Sequence, residues 1–249
     1  MKAELIDYMG TDLTVVNAAR CSFSAVSNEL TKGDIGLINF LARGCMSKDW
    51  TTFLDRIHNL PTTVHDCRTE IEDILKYVKN MPTHWTPFSH AMITMRETVP
   101  IFVARQRFKH MVGFTYNEVS RRYVDDTPEF HFPGDDGWRA RPVGGIKQGS
   151  DGEHKDSKAI ELSYYLHTEN CKDLYEKMLA HGVAPEQARM VLPQSMLTTY
   201  WVTGSLYAWA NAYIQRSDPH AQVEIQQLAA QWDTIIQPLF PESWKALTK

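Results

Sequence analysis

The chain has 249 residues, enough to bury a sizeable core as one large domain or two small ones. Its 26 Lys and Arg against 30 Asp and Glu leave a net charge of −4, which excludes a broad attraction to nucleic acid and confines any anion site to a local patch. Four cysteines, Cys21, Cys45, Cys67 and Cys171, lie far apart with no C-x-x-C pair. That pattern excludes a disulfide-rich scaffold and a zinc ribbon, and reduced thiols are expected.

The opening "MKAELIDYMG" carries no apolar targeting core, and no run of about 18 apolar residues follows, so a soluble, cytoplasmic protein without membrane partners is expected. No internal repeat is present, and residues 1–249 read as a single domain. "HAMITMRETV" alternates as a strand does, with Ala91, Ile93, Met95 and Val99 on one side and Thr94, Arg96 and Thr98 on the other. Pro100 suits the first turn of a following helix, "PIFVARQRFKH", on which Arg105 and Lys109 are four apart and share a face. The segment 132–154, rich in Gly, Pro and Asp, reads as the main loop, with the glycines of 144–152 in a mobile stretch.

Beyond it nearly everything reads helical. One helix stops at Gly182, another starts near Pro185, and a long segment runs from about Pro193 to Arg216. Asp218 and Pro219 then read as the N-cap and first residue of a last helix, "DPHAQVEIQQLAAQW". The expected fold class is α+β (α/β), a mixed or antiparallel sheet with helices and a helical C-terminal half.

The chemistry concentrates in "RQRFKHMVGFTYNEVSRRYV", residues 105–124, where Arg105, Arg107, Lys109, Arg121 and Arg122 surround a single acid, Glu118. Arginine forks grip phosphate with several donors, and the interleaved Phe108, Phe114, Tyr116 and Tyr123 offer faces for a flat ring. Charge clusters are commonly just solvated surface, but these apolar neighbours argue against a freely solvated face. Arg189 and Arg216 also sit in apolar helical contexts, where a guanidinium needs a carboxylate partner or an anionic ligand. Three basic islands together favour the ligand. His65, Asp66 and Cys67 are consecutive and point apart, so no metal site is expected. Ser120 lies outside a G-x-S-x-G turn, and no Gly-rich phosphate loop is present.

These residues resemble the flavin-dependent thymidylate synthases. "PIFVARQRFKH" followed by "NEVSRRY" is similar to that family's Arg-rich signature, with "NAARCSF", "HWTPFSH", "ARMVLP" and "NAYIQRSDPHAQVEIQ" matching further segments in the family's order. The signature's Arg-His-Arg is replaced by Lys109-His110-Met111, its first Ser by Thr115, and one additional residue lies between His110 and Asn117.

Carried over by position, the resemblance implies that deoxyuridylate (dUMP) is held by Gln106, Lys109, Glu118, Val119, Ser120, Arg121, Arg122, Arg189 and Arg216. It implies that FAD is held by Thr86, Lys109, His110, Met111, Glu118, Ser205, Leu206, Tyr207 and Asn211, with Ser22 and His84 as further contacts. Backbone contacts are expected at Met111, Leu206 and Tyr207. The implied reaction methylates dUMP with methylenetetrahydrofolate as carbon donor and NADPH as reductant of the flavin. Arg216 is the expected catalytic charge beside the uracil ring and Ser120 a positioning group. A homotetramer with shared active sites is implied too. Two other readings stay open: a non-catalytic nucleotide- or RNA-binding protein, and a same-fold flavoprotein that oxidises NADPH without making thymidylate.

Overall fold

The computed structural model describes residues 1–45, 47–61, 63–79, 81, 83–143 and 149–249. In chain order these form β1 (Lys2–Met9), α1 (Asp12–Arg20), α2 (Lys32–Ala42), α3 (Ser47–His58), α4 (Val64–Lys79), β2 (Met92–Pro100), α5 (Ile101–Arg107) and β3 (Phe114–Glu118). Then follow β4 (Arg139–Ala140), β5 (Asp151–Glu153), α6 (Ser157–Ala180), α7 (Pro185–Ala188), β6 (Leu197–Ser205), α8 (Leu206–Arg216), α9 (Val223–Ile236) and α10 (Pro241–Thr248). A four-stranded sheet has the order β1-β2-β6-β3, and β4 pairs antiparallel with β5. Thr94 meets Thr203 and Thr98 meets Thr199 through hydroxyl hydrogen bonds of 2.9 Å, so β2 and β6 run antiparallel.

The chain divides into two compact units. The first comprises Met1–Asp7, Thr94–Thr203 and Ile214–Trp232; the second comprises Tyr8–Ile93, Gly204–Tyr213 and Asp233–Lys249. In the first unit Met95, Val99, Val103, Tyr200, Val202, Leu228 and Trp232 are buried. The alternation read from "HAMITMRETV" is borne out, because Met95 and Val99 are fully buried while Arg96 is exposed and pairs with Glu4 at 2.9 Å. Pro100 stands one position earlier than expected, at the N-cap of α5. The first two N–H groups of that helix go to the Met196 and Gln194 carbonyls, at 3.0 and 3.1 Å, so the loop before β6 satisfies donors that a helix start leaves open.

The second unit packs Val15, Val16, Ile38, Phe88, Trp209, Ile236, Phe240 and Trp244 into its core. Its last helix, α10, is capped from far away in sequence: the Asp12 carboxylate accepts from the Glu242 and Ser243 N–H groups, both at 2.9 Å. Asp34 caps α2 through Thr31 and receives Arg20 at 2.6 Å. Hydrogen bonds from the Thr31 hydroxyl and N–H, with those from Arg20 and Ser27, hold its carboxyl well below the usual range.

Three expectations need correcting. The C-terminal half is not nearly all helical: the segment from Pro193 to Arg216 splits into β6 and α8, because the buried Thr198, Tyr200 and Val202 alternate with the half-buried Thr199 and the exposed Trp201, the period of a strand. Asp218 does not cap a helix. Its carboxylate closes a local turn onto the His220 N–H at 2.7 Å, and α9 begins only at Val223, with α10 after it. Within the 132–154 loop, β4 and β5 form a short ribbon; the glycine stretch expected to be mobile lies partly outside the described residues. Among the described residues no helix is long and apolar enough to cross a membrane.

Candidate active site

The basic stretch is built by α5, a turn, and β3. Helix α5 ends at Arg107, and the Lys109 and His110 N–H groups tighten the chain onto the Gln106 and Arg107 carbonyls, at 3.3 and 3.1 Å. Gly113 adopts φ 78°, a left-handed conformation that a side chain disfavours, and the chain reverses there into β3. Lys109 therefore stands beyond the helix, which corrects the expectation that it shares a helical face with Arg105. Lys109 and Met111 are exposed, and His110 is half-buried.

The five cations separate. Arg107 is fully buried and does not belong to an anion-gripping surface, contrary to the reading of 105–124 as one basic cluster. Its Nε donates to the Glu97 carboxylate at 3.3 Å, its Nη1 to the Tyr116 hydroxyl at 2.6 Å, and its guanidinium lies 4.3 Å from the Phe114 ring centroid. Glu97 also accepts from Tyr200 at 2.5 Å and from the Trp232 indole at 2.8 Å. A charge inside the core needs such a partner set. Burial pushes the Tyr116 phenol up to about 12, opposed by Arg107. One sign of this network is readable in the sequence, because Glu97 falls in the buried register of β2; its partners lie 10, 103 and 135 residues away.

Arg121, Arg122 and Arg189 do converge. With Glu118, Val119, Ser120, Thr98, Thr198 and Thr199 they line a cavity of about 760 Å³ in the first unit. Arg122 donates from Nε to the Ser120 hydroxyl at 3.1 Å, and Thr198 donates to Glu118 at 2.6 Å. Arg121 is engaged with Asp126, at 3.0 Å to its carboxylate and 2.6 Å to its carbonyl. Arg189 is exposed, and its Nε donates to a main-chain carbonyl, that of Glu186, at 3.1 Å. The cavity therefore offers cationic donors together with hydroxyls, a lining suited to a phosphate ester.

Arg216 closes α8, half-buried, and is held by neutral acceptors. Its Nε donates to His110 Nε2 at 2.8 Å and its Nη2 to the Gln106 carbonyl at 3.2 Å. Among the described residues no carboxylate forms an ion pair with it. Burial first, then Arg107, lowers its pKa from the ordinary arginine value. Burial, with Arg216 and Arg107 adding to it, pushes His110 down to about 4. The Gln106 side chain donates to Gln222 at 2.6 Å. Gln106, His110 and Arg216 thus form one group, with Arg216's charge left without an anionic counterpart.

The remaining positions lie in the second unit. Thr86 begins a short 3₁₀ turn, Thr86–His90, after the exposed His84 and Trp85. Trp85 stacks on Tyr207 with centroids 5.6 Å apart and planes at 26°, and Asn211 lies one turn along α8 from Tyr207. Ser22 is exposed in the turn after α1. An exposed tryptophan stacked on a half-buried tyrosine, on the elements that carry Thr86 and Asn211, suits a flat heterocycle. Ser205 and Leu206 are buried. Ser205 Oγ accepts from the Ala208 N–H at 3.2 Å, and the Leu206 N–H goes to the Ala91 carbonyl at 2.9 Å, so both serve the start of α8. Burial and Asp49 push the Cys45 thiol up to about 11. Among the described residues no group of three or more His, Cys, Asp or Glu could hold a metal ion.

The chain matches the family model described as "Thymidylate synthase complementing protein" over residues 4–242. The flavin-dependent thymidylate synthase of Thermosipho africanus (strain TCF52B) is 38% identical over 168 residues, covering 67% of this chain and 72% of that protein. That of Thermotoga neapolitana is 30% identical over 246 residues, covering 99% of this chain and 90% of the relative. A solved structure described as a UMP/dUMP methylase, PolB from Streptomyces cacaoi bound with 5-Br UMP, aligns with TM-score 0.72 at 23% identity, over 98% of this chain and 92% of that one. The likeness to that structure is one of fold.

Proposed function

The chain belongs to the thymidylate synthase complementing protein family, and on that premise we propose that it makes thymidylate by reductive methylation of dUMP. Its carbon donor is methylenetetrahydrofolate, released as tetrahydrofolate, and NADPH is the reductant. FAD, held by the second unit's Trp85–Tyr207 face with Thr86, His84, Ser22 and Asn211, supplies the hydride chemistry when bound. The working protein is a cytoplasmic homotetramer of single-domain chains.

The observation that carries this reading is the state of Arg216: half-buried, positively charged and, among the described residues, hydrogen-bonded only to neutral acceptors. When C5 of a uracil turns nucleophilic, negative charge grows on its N3 and carbonyl side. A fixed cation in a partly dry setting stabilises that charge without reorganising. Arg122 and Arg189, with Ser120, grip the 5′-phosphate, Gln106 orients the base, and Ser120 positions rather than attacks. A nucleophilic serine needs an adjacent base, and among the described residues the Ser120 hydroxyl is hydrogen-bonded only to the Arg122 side chain and N–H.

The test is a visible spectrum of the purified protein with FAD, followed by NADPH with and without dUMP, then product analysis with methylenetetrahydrofolate. The expected result is a flavin spectrum that bleaches faster with dUMP and yields thymidylate. Protein that stays colourless with added FAD would leave a nucleotide-binding role, and bleaching without thymidylate would leave an NADPH-oxidising flavoprotein.

A further inference from the structure

Arg107 and Glu97 are both fully buried, with no exposed side-chain surface, in the first unit. A buried ion pair is commonly no more stable than apolar residues of the same volume, so stability alone does not account for two charges at this depth. The geometry leads from them to the site.

Three donors fix the Glu97 carboxylate: Arg107 Nε, the Tyr200 hydroxyl and the Trp232 indole. Arg107, held there, donates a second hydrogen bond from Nη1 to the Tyr116 oxygen at 2.6 Å. The Tyr116 hydroxyl in turn donates to the His110 carbonyl at 2.7 Å, with the Arg107 carbonyl a longer second acceptor at 3.2 Å. His110 lies where α5 has ended and the Gly113 turn has not begun, so this bond anchors a stretch of chain that regular structure does not hold. The same residue offers Nε2 to Arg216, and the other acceptor of Arg216 is the carbonyl of Gln106, within the final turn of α5. An arginine side chain has several rotatable bonds; where its guanidinium rests is decided by where its acceptors are held.

We propose that the buried Glu97–Arg107 pair, acting through Tyr116 and the His110 main chain, is a positioning device that sets where the Arg216 guanidinium stands. The proposal rests on the reading of Arg216 as the catalytic charge. Glu97 and Arg107 touch no substrate; they act through the chain segment 106–110.

Tyr116→Phe removes one hydroxyl and keeps the ring that packs on Phe108, Phe114 and Tyr200. With the flavin-loaded protein, the expected result is a kcat about 10-fold lower with KM for dUMP nearly unchanged, since small misplacements of a catalytic group cost rate rather than binding. In an Arg216→Ala background the same substitution should change kcat less than about two-fold, because the two changes act through one group. An equal loss in both backgrounds, or wild-type kcat in Tyr116→Phe, would overturn the proposal. Wild-type turnover in Arg216→Ala would instead remove the reading of Arg216. The positioning itself is then decided by NMR titration of the His110 ring, which should move toward the ordinary histidine range in Tyr116→Phe; an unmoved titration overturns it. If Tyr116→Phe does not fold, Tyr200→Phe, which removes one donor from Glu97, carries the same cycle with the same outcomes.

Discussion

Arg216 donates from Nε to Nε2 of His110 at 2.8 Å. A ring nitrogen that accepts a hydrogen bond from arginine carries no hydrogen itself, so His110 is a neutral imidazole with its hydrogen on Nδ1. This relationship ties the signature segment after α5 to the end of α8, and it makes the charge at the site depend on a histidine staying neutral.

Arg216→Ala is expected to keep the fold and the flavin and to lose turnover by about 100-fold or more, the usual scale when a preorganised charge is removed. Steady-state thymidylate formation beside the flavin spectrum and a circular dichroism trace checks this. Turnover within a few-fold of wild type would sink the assignment.

Arg189→Ala should behave differently. Arg189 lines the 760 Å³ cavity, remote from the reacting carbon in the proposed pose. Losing a charge-assisted contact to phosphate removes binding common to ground and transition state. KM for dUMP should rise about 10-fold or more with kcat little changed. A kcat loss at unchanged KM would contradict the phosphate role.

Stability should depend on pH through His110. Its folded value is near 4 against an ordinary 6.5, so between these the unfolded chain binds a proton that the folded chain does not. The contribution is complete above about pH 6.5 and is lost as pH falls through that window. Burial pushes His131 the same way. Urea unfolding at several pH values, wild type against His110→Gln, isolates the His110 share: the variant, whose amide oxygen can still accept from Arg216, should show the shallower slope.

Glu97→Leu leaves the Arg107 guanidinium buried without its carboxylate, and a loss of about 3–5 kcal/mol is expected. Adding Arg107→Met removes the stranded charge and should restore much of it. Thermal and urea unfolding of both variants measure this, and additive losses would argue against a direct pairing.

Asp12→Ala should cost about 1–2 kcal/mol, because the Glu242 and Ser243 N–H groups lose their acceptor. Hydrogen exchange is expected to speed up in α10 while β2 and β6 keep their protection. Uniform loosening would mean that Asp12 does more than cap.

The sequence by itself determined the residue types at the site and the local structure carrying them. The alternation of 91–99 marked β2, and Gly182 and Pro185 marked a helix end and the next start. The cations of 105–124, with Arg189 and Arg216, pointed to an anion site. These were legible because they depend on neighbours within a few residues, or on the plain chemistry of a guanidinium. What only the tertiary structure decided is which cations stay available. Arg107 and Arg122 read alike in the sequence. Yet one is sealed against Glu97, Tyr200 and Trp232, residues brought together across more than a hundred positions, while the other opens onto a cavity. The strand β6 was hidden for a related reason: its identity comes from pairing between β2 and β3, which distant segments supply. Charge is written into each side chain, but burial and pairing are properties of the fold, and they decide which arginine holds the scaffold and which stays open to a cavity.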